Sequence, residues 1–318
     1  MANTNAAATQ WNAPNYVGPL YQIGANDTPF LNMIGGLQGG GITLASMEFA
    51  VAQPWSLESA AQPAITETAS LTAPTAWTYV REQDRNVCQI HQKAISVSYS
   101  KQSVSGMVTA NATTGLSLPG DQPVENEFDF QVQAALAQIA VDVEYTFLHG
   151  TYQLGVDADT AYKTRGIVTA TTTNTVAAGD GALTKTLIDQ LLRTMAGNGA
   201  KFRNSVIFCN AFQIQQLSNI YGYAPEDRFV GGVKIQQIYT DFAMLGIVWT
   251  PKISTSTILV ADLSVCRPVF CPVPNKGVLF REELAKVGAS EKEQIYGQIG
   301  LDYGPEEYHG TLTGLSTS

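Results

Sequence analysis

Between Pro123 and Gly150 the chain runs without a glycine or an internal proline, and Val124, Phe128, Val132, Ala135, Ile139, Val143 and Phe147 recur every three or four residues. That spacing predicts a helix over 123–149, about 40 Å long at 1.5 Å per residue, with one continuous apolar stripe. Pro123 suits the first turn and Gly150 the stop. The opposite face carries Glu127, Gln133, Ala134, Ala137, Gln138 and Glu144, interrupted by Phe130 and Val141. A polar back with apolar spots is expected where a second layer crosses it. The competing coiled-coil seam is disfavoured, because the pattern lasts under about four heptads and lacks paired Glu/Lys flanks.

What precedes this helix is nearly bare of charge. The first basic residue is Arg81, and residues 42–80 contain no lysine. Residues 1–41 read as an arm: Ala/Asn/Thr-rich, then Asp27-Thr28-Pro29-Phe30-Leu31 as a helix start with Pro29 in the first position, then glycines that stop it. Residues 42–106 read as an extended loop. Alternation at Ile42/Leu44, Met47/Phe49/Val51 and Ile95/Val97/Tyr99 predicts two strands of a long projection. Between them, residues 54–80 hold Pro54, Pro63 and Pro74 and a run of Ala, Ser and Thr. A loop this long is a functional projection or disorder. Its Trp55, Leu57, Ile65 and Trp77 argue for docking, and an isolated hairpin is marginal in water. The expected cover is a neighbouring subunit.

Charged residues make up 14% of the chain, against roughly 25% in an ordinary soluble domain. Too little charge is left to clothe a solvated monomer, so part of the outside is expected to be buried against partners. The net charge of −9 argues against a groove that grips phosphates. No apolar run approaches the 18 or so residues needed to span a bilayer, so no membrane partner is expected. The N-terminus carries no basic export signal, which reads as cytoplasmic synthesis.

Past residue 165 the pattern is mixed. Leu183, Leu187, Ile188, Leu191, Leu192 and Met195 predict an amphipathic helix closed by Gly197 or Gly199. Ser205–Cys209 reads as a buried strand and Ala211–Ile220 as a short helix. Val233–Tyr239, Leu245–Thr250, Ile258–Ala261 and Val265–Phe270 are further strands. After Phe280 a polar, alternating tail carries Ile295, Ile299, Leu301, Tyr303 and Leu312.

The sequence holds no recognisable catalytic motif. His91, His149 and His309 lie far apart and outside any motif, and each reads as structural. Cys88, Cys209, Cys266 and Cys271 are too few and scattered for a disulfide framework or a zinc site, and read as buried free thiols. Asp157 and Asp159 lack the rest of a calcium loop. Glu282-Glu283 and Glu306-Glu307 read as solvated faces rather than a carboxylate pair, since adjacent residues point apart. No catalytic, cofactor-binding or metal-binding residues are assigned.

The order of arm, extended loop, spine helix, mixed α/β region and returning strands resembles the major capsid proteins of tailed bacteriophages, with their HK97-like fold. Asp27-Thr-Pro-Phe-Leu31, Thr240-Asp-Phe-Ala-Met-Leu-Gly246, Ile258-Leu-Val-Ala-Asp262, Glu283-Leu-Ala-Lys-Val-Gly288 and Glu293-Gln-Ile-Tyr-Gly297 carry the resemblance. It implies an α+β subunit with an arm (1–41), an extended loop (42–106), a peripheral domain with the spine helix (107–165), an axial domain (166–270) and C-terminal strands returning to the peripheral domain (271–318). It also implies a non-enzymatic, cofactor-free shell protein of the virion, assembled in the host cytoplasm. Its partner would be itself, in pentamers and hexamers of an icosahedral head enclosing double-stranded DNA without reading its sequence. Scaffolding, portal and decoration proteins are further candidate partners. Some relatives weld the shell through a loop lysine. The lysine-free loop here implies a shell without such cross-links, as Lys93 and Lys101 fall at its base. The alternatives are another lattice-forming structural protein, or an α/β enzyme with its site in 166–318.

Overall fold

A computed structural model describes Gly24 and residues 26–37, 40–52, 54–104, 127–221, 228–230 and 233–317. The first half contains α1 (Pro29–Met33), β1 (Ile42–Thr43), β2 (Glu48–Ala52), α2 (Glu67–Ser70), β3 (Asp84–Val87), β4 (Gln89–Ser98), α3 (Tyr99–Val104) and the spine α4 (Glu127–His149). There follow α5 (Ile167–Ala170), β5 (Thr175–Ala177), α6 (Lys185–Gly197), β6 (Ser205–Cys209), α7 (Ala211–Tyr221), β7 (Arg228–Val230) and β8 (Val233–Tyr239). The chain closes with β9 (Met244–Trp249), β10 (Ile258–Asp262), β11 (Arg267–Phe270), β12 (Leu279–Glu283), β13 (Ser290–Asp302) and β14 (Gly310–Thr313).

A seven-stranded mixed sheet, in the order β5-β14-β10-β6-β9-β8-β7, forms one layer. Its central strands β6 and β10 are buried along their whole length, and their side chains divide by alternation. Ile207, Cys209, Ile258 and Val260 face α6 and α7, whose Ile188, Leu191, Leu192, Met195 and Leu217 complete one core. Val206, Phe208, Leu259 and Ala261 face the other way, toward α1 and α4. Thr184 caps α6, its Oγ1 accepting from Leu187 N.

That second core is shared. A five-stranded sheet runs β1-β11-β13-β12, with β4 on the other side of β13 from Ser98↔Ser290 to Gln89↔Ile299. Ile95, Val97, Ile295, Ile299 and Leu301 of this sheet meet Phe128, Ile139, Val143 and Phe147 of α4. The spine is thus a strut that both sheets use. Its first turn is pinned by Lys101 to the buried Glu127 at 2.5 Å, and by Arg281, which pairs with Glu293 and lies over the Phe128 ring. The described helix begins at Glu127; the predicted start at Pro123 and Val124 lies outside the described residues. It ends at His149, and close approach requires the glycine that follows: a Cβ on Gly150 would lie 2.1 Å from the Thr164 carbonyl oxygen.

The expected polar back of the spine is corrected at two positions, for Glu127 and Glu144 are both buried. Glu144 is covered by α1, whose Phe30 and Leu31 amides donate to its two oxygens at 3.0 and 2.6 Å. Pro29 does occupy the first turn of α1, and the following Gly35 and Gly36 take positive φ angles. Phe30 then stacks edge-on against Phe208 of the seven-stranded sheet, ring centroids 5.4 Å apart.

Three placements differ from the sequence reading. The stretch containing Ile95 and Val97 is β4, which joins the five-stranded sheet instead of a hairpin with β2; among the described residues β2 pairs with the short β3 alone. Tyr99, expected to continue the strand, opens α3. The returning strands do not all go to one sheet: β12 and β13 join β11, whereas β14 crosses to β10 and β5 of the seven-stranded sheet. Alternation reveals that one face of a strand is buried, not which strand supplies its hydrogen bonds.

Buried polar side chains lock the connections. Asn86 is fully buried; its Nδ2 donates to the carbonyls of Leu301 (2.8 Å) and Arg165 (3.1 Å), and its Oδ1 accepts from Arg165 N and Val87 N. Asp262 accepts from the amides of Arg203, Asn204 and Ser264. Asn86→Ala strands these four backbone groups without partners. It should lower unfolding free energy by about 3 kcal/mol, read as a lower urea midpoint at unchanged slope.

Candidate inter-subunit surface

The loop leaves the body on the β2–β3 ribbon, closed at its neck by Glu82 N donating to the Pro54 carbonyl at 3.1 Å. Beyond that neck its one helical turn, α2, is capped by Thr66, whose Oγ1 accepts from Ala69 N at 3.2 Å. No sheet pairing reaches residues 54–83. Proline and repeated Ala/Thr/Ser supply neither a helical nor a strand period, so the backbone here has no ladder to join.

The side chains have no core to join either. Trp55 is 60% exposed, Ile65 73% and Trp77 67%. Leu57, Leu71, Tyr79 and Val80 are likewise exposed. Burying one such side chain contributes about 1.5–3 kcal/mol, and soluble monomers rarely leave a contiguous set of them in water. The only charged residues of 54–80 are Glu58 and Glu67, so the loop itself brings no cation to its apolar surface.

Of the four residues singled out from sequence, Trp55, Leu57 and Trp77 come together. They line a cleft of about 780 Å³ between the loop and the body, whose far wall includes Lys201 and Tyr308. Ile65 is not part of it and stands out near α2. Trp55 also meets Tyr79 edge-on, with centroids 6.4 Å apart. Tyr79 and Val80 were missed in the sequence reading; the signal was their continuation of the Trp77 run toward Arg81.

Two concave faces flank the spine. One, of about 560 Å³, lies between β4 and α4 and is lined by Ile90, His91, Lys93, Asp142, Tyr145 and Lys252. The other, about 710 Å³, lies between α4 and the β11–β13 face and carries Val132, Leu136, Phe270, Leu279, Phe280 and Arg281. Both lysines at the base of the loop are engaged within the chain: Lys93 with Asp142 at 3.0 Å, and Lys101 with Glu127.

Buried thiols and two buried imidazoles elsewhere are held in unreactive protonation states. Burial pushes the thiols of Cys88 and Cys209 up to about 12 and raises those of Cys266 and Cys271. Fully buried His309 accepts from Asp262 N at Nδ1, and its Nε2 meets the Tyr303 carbonyl at 2.6 Å, which assigns one neutral tautomer. Burial lowers the His91 ring to about 4, so it too is neutral near pH 7. Glu306 binds the amides and hydroxyls of Thr172 and Thr173 rather than a second carboxylate. Among the described residues no group of three or more His, Cys, Asp or Glu is placed to hold a metal, and no helix is long and apolar enough to cross a membrane.

Comparison with known proteins follows the same line. The sequence model of the SU10 major capsid protein family matches residues 3–316. Among solved structures, a chain of the cyanophage A-1(L) capsid superposes with a TM-score of 0.61 at 11% identity, covering 96% of each chain. A chain from the capsid of a native GTA particle gives 0.60 at 12% identity, covering 99% of this chain and 100% of that one. The holo-SrpI encapsulin complex from Synechococcus elongatus PCC 7942 gives 0.59 at 11%, covering 100% and 98%. At these identities the likeness shows the fold, which is the HK97-like capsid fold. A search of curated proteins finds no match.

Since Trp77 and Ile65 contact so little of their own chain, Trp77→Ala and Ile65→Ala should each change the unfolding free energy of the unassembled subunit by less than about 0.5 kcal/mol, measured by chemical denaturation.

Proposed function

The chain belongs to the SU10 major capsid protein family, and on that premise we propose that it closes into the icosahedral head of a tailed phage as pentamers and hexamers around double-stranded DNA. As a major capsid protein it is a component of the virion. The observation that carries the assembly reading is the loop: residues 54–81 present exposed Trp55, Leu57, Ile65 and Trp77 that a single subunit cannot bury. A repeating lattice supplies every loop with the same cover, which a monomer cannot do. In this reading the region 166–270 meets its copies around the symmetry axes, while the spine and the five-stranded sheet form the periphery. The arm and loop reach over neighbours.

The shell is held without lysine-based loop cross-links. The loop has no lysine between residues 42 and 80, and Lys93 and Lys101 are already paired with spine carboxylates. A subunit of net charge −9 also suits a container that encloses DNA without gripping it, because an acidic wall repels phosphates. The role is structural rather than catalytic, consistent with the Cys88 and Cys209 thiols kept protonated and the His91 and His309 rings kept neutral by burial.

Electron microscopy of the expressed protein is the test. Closed shells or capsomers are the expected product; sheets or tubes would indicate another lattice, and monodisperse monomers would revive an enzyme in 166–318. Trp77→Ala should leave subunit yield intact while lowering particle yield several-fold, and unchanged particle yield would remove its docking role. On a denaturing gel, purified particles should dissolve to monomer bands, whereas covalent ladders would contradict the uncross-linked shell.

A further inference from the structure

The arm is fastened to the spine through a carboxylate that water does not reach. Glu144, fully buried on α4, accepts from Phe30 N and Leu31 N, two amides that the short α1 cannot satisfy internally. Lifting the arm would uncover Glu144 together with Phe30 and Leu31, so the exposure of this carboxylate and the docking of the arm are one event.

Among the described residues the charged groups around it are few. On α4, Asp142 is turned to Lys93, and His149 Nε2 lies 2.8 Å from the Lys252 carbonyl. From the turn after β9, the Lys252 ammonium acts on Glu144. From β4, His91 and Lys93 both act on Asp142. The arm helix brings no charged side chain, and Asp27 before it is exposed. β6 and β9 contribute apolar Phe208 and Val248 to the shared core, and the described side chains of β8 are Gln236, Gln237, Ile238 and Tyr239. Among the described side chains, Lys252 is the cation that acts on the carboxylate.

We propose that this contact is a proton-operated fastening, in which the arm docks more firmly on a protonated Glu144 and loosens when Glu144 is charged. An ionised carboxylate makes the stronger bonds to Phe30 and Leu31, but holding a charge in an apolar core costs more than those bonds return. The balance is visible in the group itself. Burial raises its carboxyl from 4.5 to about 7, against the lowering influence of the Leu31 and Phe30 amides and of Lys252.

With the arm lifted, the carboxyl faces water and falls back toward its ordinary value. The docked form then keeps a proton that the undocked form releases between pH 4.5 and about 7. The stabilisation of the docked arm is complete below that window and is lost as pH rises through it. The limit is roughly 300-fold in the docking equilibrium. This fastening is a property of the single subunit and holds whether or not shells form.

Amide exchange of a peptide covering residues 28–34 in the unassembled full chain tests it, after correction for the intrinsic pH dependence of exchange. Protection should fall at least about tenfold between pH 5.5 and 8.5 within the limit set by linkage. Glu144→Gln should flatten the profile, and Lys252→Met should move its midpoint to higher pH by removing the cation that favours the charged form. A flat wild-type profile, or an unaltered one in Glu144→Gln, overturns the proposal. Should Glu144→Gln fail to fold, Lys252→Met decides, and an unmoved midpoint overturns it.

Discussion

The backbone of residues 54–81 has almost nowhere within its own chain to place its apolar side chains, and the rest of the architecture follows from that constraint. A segment rich in proline and alanine cannot fold inward on its own periodicity. Trp55, Leu57, Ile65 and Trp77 are exposed in the subunit. A protein that carries such a surface either aggregates or meets a matching surface on a defined partner. On the reading proposed above, which rests on membership of a major capsid protein family, that partner is an identical copy.

Everything behind the loop is built to be stiff. The spine serves two sheets at once, contributing Ile139, Val143 and Phe147 to a core that also holds Phe208 and Leu259 of one sheet and Ile295 and Ile299 of the other. Connections that would otherwise give way are closed by buried polar groups with several partners each, such as Asn86 between β3 and the Arg165 backbone, and Asp262 beneath Arg203 and Asn204. In the proposed lattice a rigid body and an uncovered ribbon would divide the work, the body setting the angles at which copies meet and the ribbon contributing binding surface. At the arm, by contrast, the fastening passes through one buried carboxylate, which makes that joint responsive where the others are fixed.

Much of this was legible in the chain. Ser205–Cys209 and Ile258–Ala261 read as strands because strands covered on both faces need continuous apolar runs, and α6 read as a helix because its single buried face repeats every three or four residues. The docking role expected for Trp55, Leu57, Ile65 and Trp77 rests on their isolation in a bare loop, and Ile65 lies outside the cleft that the other three share. That those three share it depends on how the chain closes at Pro54 and Glu82. Glu144 was not legible. On the helix it stands among polar positions, and its burial is created by Phe30 and Leu31, more than 110 residues away. The membership of β4 and β14 escaped for a related reason, since alternation carries no record of which neighbour a strand bonds.

The central claim is that the loop is uncovered in one subunit and covered in the lattice. Hydroxyl-radical footprinting of residues 54–81 in unassembled subunits and in purified particles measures this directly. The account predicts heavy labelling of Trp55 and Trp77 in the subunit and strong protection of both in the particle. Equal labelling in the two states, or protection already present in the lone subunit, would contradict it.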